Sequence, residues 1–111
     1  MDEEELIQRF AERGVNRGAE WFFSPSVCLE LVDECERNSL AVVGIEGFKI
    51  VDSKVFPKVD LITDWSEIEA TNWAAFVAET SALSRKFIKT EVPTEDGLFL
   101  NLTILSQSDL V

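Results

Sequence analysis

The chain predicts an α+β domain: a three-stranded antiparallel sheet of strand order 2-1-3 with helices packed on one face, in the element order α-α-β-β-α-β. Three observations carry this reading. Leu40-Ala41-Val42-Val43-Gly44-Ile45-Glu46-Gly47-Phe48-Lys49-Ile50-Val51 is the most apolar run and is rich in β-branched residues; apolar residues on both parities over its first half mark a central strand. Asp52-Ser53 then separates it from a second strand-like run, giving a hairpin. Capped helical stripes stand before and after this pair. A right-handed crossover from the second strand over the first sets the third strand on the far side, so the apolar run becomes the middle of the sheet. A length of 111 residues fits one domain, 1–111, with a single core that needs no staples.

Asp2 to Arg13 reads as a short helix: Asp2 and Glu5 have capping-box spacing, Leu6, Ile7, Phe10 and Ala11 form one stripe, and Gly14 supplies a left-handed stop. A connector from Val15 to Phe23 follows, its Trp21-Phe22-Phe23 expected to pack beneath the next helix. Ser24 is the N-cap of the second helix and Pro25 sits where a missing N–H costs nothing; Phe23 and Cys28 have staple spacing. Cys28, Leu31, Val32 and Cys35 are its buried stripe, Glu30, Asp33, Glu34 and Glu36 its wet face, and Asn38 the left-handed exit. The two cysteines lie ~10 Å apart along that helix, too far for a disulfide, and read as small apolar residues.

The second strand runs from Lys54 to Ile62. Pairing Val51 with Lys54 sets Ile50 against Val55, Phe48 against Pro57, Glu46 against Val59 and Gly44 against Leu61. One face then carries Leu40, Val42, Glu46, Phe48, Ile50, Val55, Val59 and Leu61, a core face apart from Glu46; the other carries Lys49, Lys54, Phe56, Lys58, Asp60 and Asp64. Pro57 makes the second strand an edge. An unpaired carboxylate in a core is expensive. Glu46 is therefore expected either to be turned out by a β-bulge at Gly44 and Gly47, or to be held at the sheet end for a partner's lysine or arginine. The third helix opens at Asp64-Trp65-Ser66-Glu67-Ile68-Glu69, spans roughly 35 Å, is weakest over Thr80 to Ser84, and carries Arg85, Lys86 and Lys89 near its end. Pro93 closes it, Glu95-Asp96-Gly97 turns, Leu98 to Leu105 is the last strand, and Ser106 to Val111 is a loose tail.

The formal net charge of -11 opposes nucleic acid and anionic membranes, and favours a basic protein partner. No apolar run approaches the ~20 residues that span a bilayer, and Met1-Asp2-Glu3-Glu4-Glu5 inverts a secretory signal, so a cytoplasmic protein is expected. With no histidine, Ser-His-Asp and Cys-His nucleophiles and His-ligated metals are excluded; no phosphate-cradling glycine motif occurs, and no EF-hand spacing. Glu46 and Asp60 are a conceivable acid–base pair, but the register points them to opposite faces. The expectation is a non-enzymatic protein without cofactor or metal. Between Lys58 and Arg85 there is no base, while Asp60, Asp64, Glu67, Glu69 and Glu79 fall in that interval and Trp65 lies among them. Glu46, Asp60, Asp64, Trp65, Glu67 and Glu69 are thus the candidate partner-binding residues, acids ringing an aromatic anchor.

Leu40-Ala41-Val42-Val43-Gly44-Ile45-Glu46-Gly47-Phe48, followed by Asp60-Leu61-Ile62-Thr63-Asp64-Trp65, resembles the strand and return of small α+β immunity proteins from bacterial polymorphic-toxin systems, over residues 27 to 77. The resemblance implies a cytosolic protein that neutralises one cognate toxin, often a basic nuclease. Two other readings stand beside it: a structural or adaptor module, homodimeric through an open sheet edge, and a small-molecule-binding or enzymatic domain working from Glu46.

Overall fold

A computed structural model describes residues 1–110. Its elements are α1 (Glu3–Phe10), a 3-10 turn (Ala11–Arg13), β1 (Gly14–Arg17), β2 (Glu20–Phe23), α2 (Pro25–Arg37), β3 (Ala41–Val51), β4 (Lys54–Asp64), α3 (Trp73–Thr90), β5 (Leu98–Leu105) and a closing 3-10 turn (Gln107–Leu110). The fold is α+β, but the sheet has five antiparallel strands in the order β1-β2-β5-β3-β4 rather than three. The expected arrangement survives inside it: β3 lies between β4 and β5. No helix among the described residues is long and apolar enough to cross a membrane.

The two extra strands come from the stretch read as a connector. Gly18 and Ala19 form a two-residue loop, with Gly18 at φ +62, and Arg17 pairs with Glu20 across it. The Asn16 side chain donates to the carbonyls of Gly18 and Glu20 and holds the loop. As a strand, Trp21-Phe22-Phe23 splits between faces. Trp21 and Phe23 go under the helices, whereas Phe22, 2% exposed, packs on the far side, edge-to-face on Phe48 at 5.0 Å. Gly14 is extended (φ -132) and begins β1, so it is not a left-handed stop; a Cβ there would collide with the Phe23 ring.

Helix α2 matches its reading. Ser24 Oγ accepts from Val27 N, and Cys28, Leu31, Val32 and Cys35 are all buried. Burial pushes both thiols up, Cys35 to about 12 and Cys28 beyond it, so neither ionises near neutral pH. The left-handed exit residue is Ser39 (φ 57), not Asn38 (φ -102); Asn38 instead donates its side-chain amide to the Glu34 carbonyl.

The β3–β4 hairpin turns through Asp52 and Ser53, both at positive φ, as a type I′ turn requires. Register follows expectation from Val51–Lys54 to Phe48–Pro57 and then departs from it. Gly47 pairs with Lys58 but Glu46 pairs with Ile62, and Gly44 with Asp64, leaving Val59, Asp60 and Leu61 with no β3 partner. Leu61 folds under Gly47, where a Cβ would stand 2.7 Å from the Leu61 Cβ. On the other side, Val43 is an extra residue of β3 between the pairs Val42–Ile104 and Gly44–Thr103. That bulge switches parity. Leu40 and Val42 enter the helical core and so does Ile45, while Glu46, Phe48 and Ile50 turn to the opposite face. The expected single core face is therefore divided, and Glu46 is exposed.

Helix α3 starts at Trp73, not near Asp64, because Asn72 is the cap that accepts Ala75 N at 2.9 Å; residues 65–72 are irregular. Its 18 residues span ~27 Å instead of roughly 35 Å. There is no break over Thr80 to Ser84. Thr80, Ser81 and Ser84 are buried, Thr80 bonded back to Phe76 O and Ser84 to Val42 O, so small side chains let the helix lie close on β3. In the stretch expected to be a loose tail, Gln107–Leu110 forms a 3-10 turn and Ser106 N donates to the Asp109 carboxylate; Val111 lies outside the described residues.

One core gathers α1, α2 and the C-terminal half of α3 on one sheet face, around Leu6, Leu31, Ile45, Leu100 and Ile88. A smaller cluster joins the start of α3 (Phe76, Val77) to Ala41 and Val43. Arg85 ties α3 to α2 through Asp33 (2.9 Å) and Glu36 (2.6 Å). Because these groups are partly exposed, Arg85→Met is expected to cost about 0.5–1 kcal/mol in urea unfolding at low salt, a loss that shrinks at high salt. Partial burial, with Asp109 and Asp2 nearby, raises the Glu3 carboxyl above its ordinary 4.5. The folded state thus prefers the protonated form: its penalty is absent below the ordinary value and complete above the folded-state one. Glu3→Gln is expected to gain on the parent as pH rises from acid to neutral, read as the difference in thermal midpoint across that range.

Candidate functional site

Where charge is left over is decided by pairing within the fold. On α2, Glu30 pairs with Arg13, Glu34 with Arg37, and Asp33 and Glu36 with Arg85. The second acidic face is thereby paired internally, four acids on three arginines. Lys49 meets Glu95 at 3.4 Å. Among the described residues, no ion pair includes Glu46, Asp60, Asp64, Glu67 or Glu69.

The sequence-predicted site residues divide into three groups. Glu46 and Asp64 come together on the sheet face away from the helices. Glu46 stands opposite Ile62, Gly44 stands opposite Asp64, and directly opposed residues share a face. Asp64 Oδ1 accepts Ser66 N at 2.7 Å, and hydrogen bonds from the Ser66 side chain and backbone hold its carboxyl below the usual range, so it is ionised at neutral pH. Asp60 stands apart, exposed in the unpaired segment of β4. Glu67 and Glu69 are exposed on the irregular segment before α3.

Trp65 is not an exposed anchor. Its backbone N–H donates to Val43 O, its indole N–H to Ser84 Oγ at 3.1 Å, and its ring meets Phe87 edge-to-face at 6.1 Å. It wedges the exit of β4 against α3. Trp73 stands at a surface groove and donates from Nε1 to Ser39 O at 2.8 Å. With Ile68 and Phe76 it lines an open groove of about 660 Å³ that Glu69 rims. A helix drawn from Asp64 hid that Trp73 sits at the first position of α3.

The other missed feature is apolar. Phe22, Phe48, Phe99 and Ile62 lie on the helix-free face, by register and by the Phe22–Phe48 contact. Ile62 is 54% exposed, and Phe56 and Val59 on the same edge strand are 51% and 79% exposed. The parity of Phe99, Asn101 and Thr103 in β5 was the available signal for this face. It yields no strand facing them until the bulges are known. Among the described residues no group of three His, Cys, Asp or Glu stands ready to hold a metal ion. What the arrangement can do is present unpaired carboxylates beside apolar surface.

No family model, no curated protein and no solved structure matches the chain.

Proposed function

We propose that this chain is a non-enzymatic, acidic protein-binding domain, best read as an immunity-type inhibitor that occupies the basic surface of one cognate toxin, for which a nuclease is a fitting target. The excess of unpaired acids carries the reading: the α2 acids and Glu95 meet bases, whereas most of the other acids, Glu46, Asp60, Asp64, Glu67 and Glu69 among them, enter no ion pair among the described residues. A net charge of -11 speeds encounter with a positive surface, and exposed apolar residues beside the acids supply area that desolvates on contact. Trp65 drops out of the contact set and Trp73 replaces it as the aromatic within reach.

A second reading, self-association through the sheet edge, draws on exposed Phe56 and Val59 on β4. Pro57, which has no N–H to donate, and the unpaired segment Val59-Asp60-Leu61 interrupt the row of groups such an edge would offer, and this lowers its weight.

Affinity capture from lysate of the source cell tests the primary reading. The parent and a Glu30→Gln/Asp33→Asn variant are expected to retain the same basic protein in equimolar amount, and a Glu67→Gln/Glu69→Gln/Asp64→Asn variant to retain less than about a tenth of it. Equal retention by all three, or retention of this chain alone, contradicts the reading.

A further inference from the structure

Apolar surface, open volume and unmatched negative charge meet at the start of α3. The groove there holds about 660 Å³, within the range of ligand-sized cavities, and Ile68, Trp73 and Phe76 line it. Its walls are fixed by bonds inside the fold. Trp73 is held by its N–H to Ser39 O and packs on the Phe76 ring at 5.4 Å. Ile68 N donates to Trp65 O at 3.2 Å, and Trp65 N to Val43 O at 2.8 Å. With its N–H spent inside, the half-buried Trp73 offers ring surface rather than a donor. Glu69 rims the groove, Glu67 is exposed on the same segment, and Asp64 accepts the N–H of Ser66, a lining residue. None of these three acids enters an ion pair among the described residues. Nor do Glu67 and Glu69 cap α3, the local task their spacing suggested, because Asn72 performs it. The cleft between α1 and α2 differs: Arg9, Arg13 and Arg37 line it together with Glu30, Asp33 and Glu34.

A groove with hydrocarbon walls and an acidic rim calls for a mixed occupant: an apolar side chain to fill it and a cation to meet the carboxylates. The helix sets their order. The N-terminus of α3 is weakly positive, so the apolar group belongs against Trp73 and Phe76 and the cation outward, at Glu67 and Glu69. A second copy of this chain is the wrong occupant: its own Glu67 and Glu69 would approach their equivalents, against a net charge of -11 on each molecule. We propose that this groove docks an extended segment of the basic partner, one aliphatic side chain seated on Trp73 and Phe76 and a neighbouring lysine or arginine on Glu67 and Glu69. This assignment rests on the acidic-binder reading above and names its surface.

The probe is the capped peptide acetyl-Lys-Leu-Arg-amide, titrated into the ¹⁵N-labelled full chain and followed by amide and indole chemical shifts. Acetyl-Lys-Gly-Arg-amide and acetyl-Glu-Leu-Glu-amide run in parallel. Saturable shifts are expected at residues 66–70, at the Trp73 indole and at Gln107, with both parallel peptides at least about fivefold weaker. Glu67→Gln/Glu69→Gln should weaken the first peptide about three- to tenfold. Ala70→Arg should abolish its binding: Ala70 is exposed on the groove, so the change adds bulk and positive charge there and takes nothing from the core. Unchanged shifts elsewhere in that variant's spectrum report that it is folded. No saturable shift, equal binding of the glycine peptide, shifts centred on α2, or binding unchanged in Ala70→Arg overturns the assignment. So does a dimer in sedimentation that Ala70→Arg dissociates, because it gives the groove to a second copy. If lysate capture yields a basic partner that Ala70→Arg retains in full while the peptide ignores the groove, the partner reading stands and this docking site falls. If capture yields none and the peptide still finds the groove, the reverse holds.

Discussion

Phe23→Ala lowers the unfolding free energy by about 3–5 kcal/mol. The residue is 1% exposed and touches four elements, two of them through its backbone. It stacks on Trp21 at 5.9 Å, meets Phe10 of α1 edge-to-face at 6.4 Å, and its carbonyl accepts from Cys28 of α2. Phe23 is also the residue through which β2 registers on β5; that backbone pair stays in the alanine variant, and the hairpin loosens because the ring contacts are lost and a cavity opens. Urea unfolding should show a lower midpoint, and amides of β1 and β2 should exchange faster than those of β3. Phe56→Ala is the matched control: at 51% exposure on an edge strand it is expected to stay within about 0.5 kcal/mol of the parent. Equal effects of the two would contradict the five-stranded sheet.

Gly47→Ala costs about 1–3 kcal/mol, for a reason unrelated to glycine's backbone freedom. The added methyl would stand 2.7 Å from Leu61 Cβ and 3.0 Å from its Cδ1, and the Cβ cannot retreat without moving β4. Leu61 is the residue that draws the unpaired segment inward and so sets the odd, three-residue shift placing Ile62 and Asp64 beside Glu46. The substitution therefore carries a second expected consequence: partner capture weakens although no contact residue has changed. Thermal unfolding gives the first effect and titration with the captured partner the second. A stability loss with undiminished binding would separate the bulge from the binding face.

The parts legible in the sequence are those whose signals are local. Ser24-Pro25 marks the start of α2 without help from the rest of the chain, and Asp52-Ser53 marks the hairpin turn, so the register is right for the first pairs from it. The failures are non-local. Val15 to Phe23 lacks the length of a convincing strand, and four-residue strands exist here because Phe23 has Leu100 to pair with. Asp64 and Ser66 both offer good caps, yet β4 runs on to Asp64 because Gly44 pairs with it; the competing cap at Asn72 wins once the strand has claimed those residues. Glu46 was identified as the anomaly of the central strand, and its escape to the surface by a bulge at Gly44 and Gly47 was one of the two outcomes open to it. That the extra residues would lie mainly on β4, and that a second bulge at Val43 would reverse the face, depended on partners the sequence does not name. Of the candidate site, the exposure of the acids was legible from charge alone; the half-burial of Trp65 was not, because its indole hydrogen bond to Ser84 is made by tertiary packing.

The most direct test of the central claim, that carboxylates left unmatched by the fold are there for a basic protein, is the association rate of this chain with its captured partner as a function of salt. Unmatched acids on an exposed face act at long range, and that action disappears when the Debye length falls to ~3 Å near 1 M salt. The account predicts a rate that falls at least about tenfold from low to high salt, with the slope reduced by Glu46→Gln/Asp64→Asn and unchanged by Glu30→Gln/Asp33→Asn. A rate indifferent to salt, or a slope set by the α2 acids instead, would contradict it.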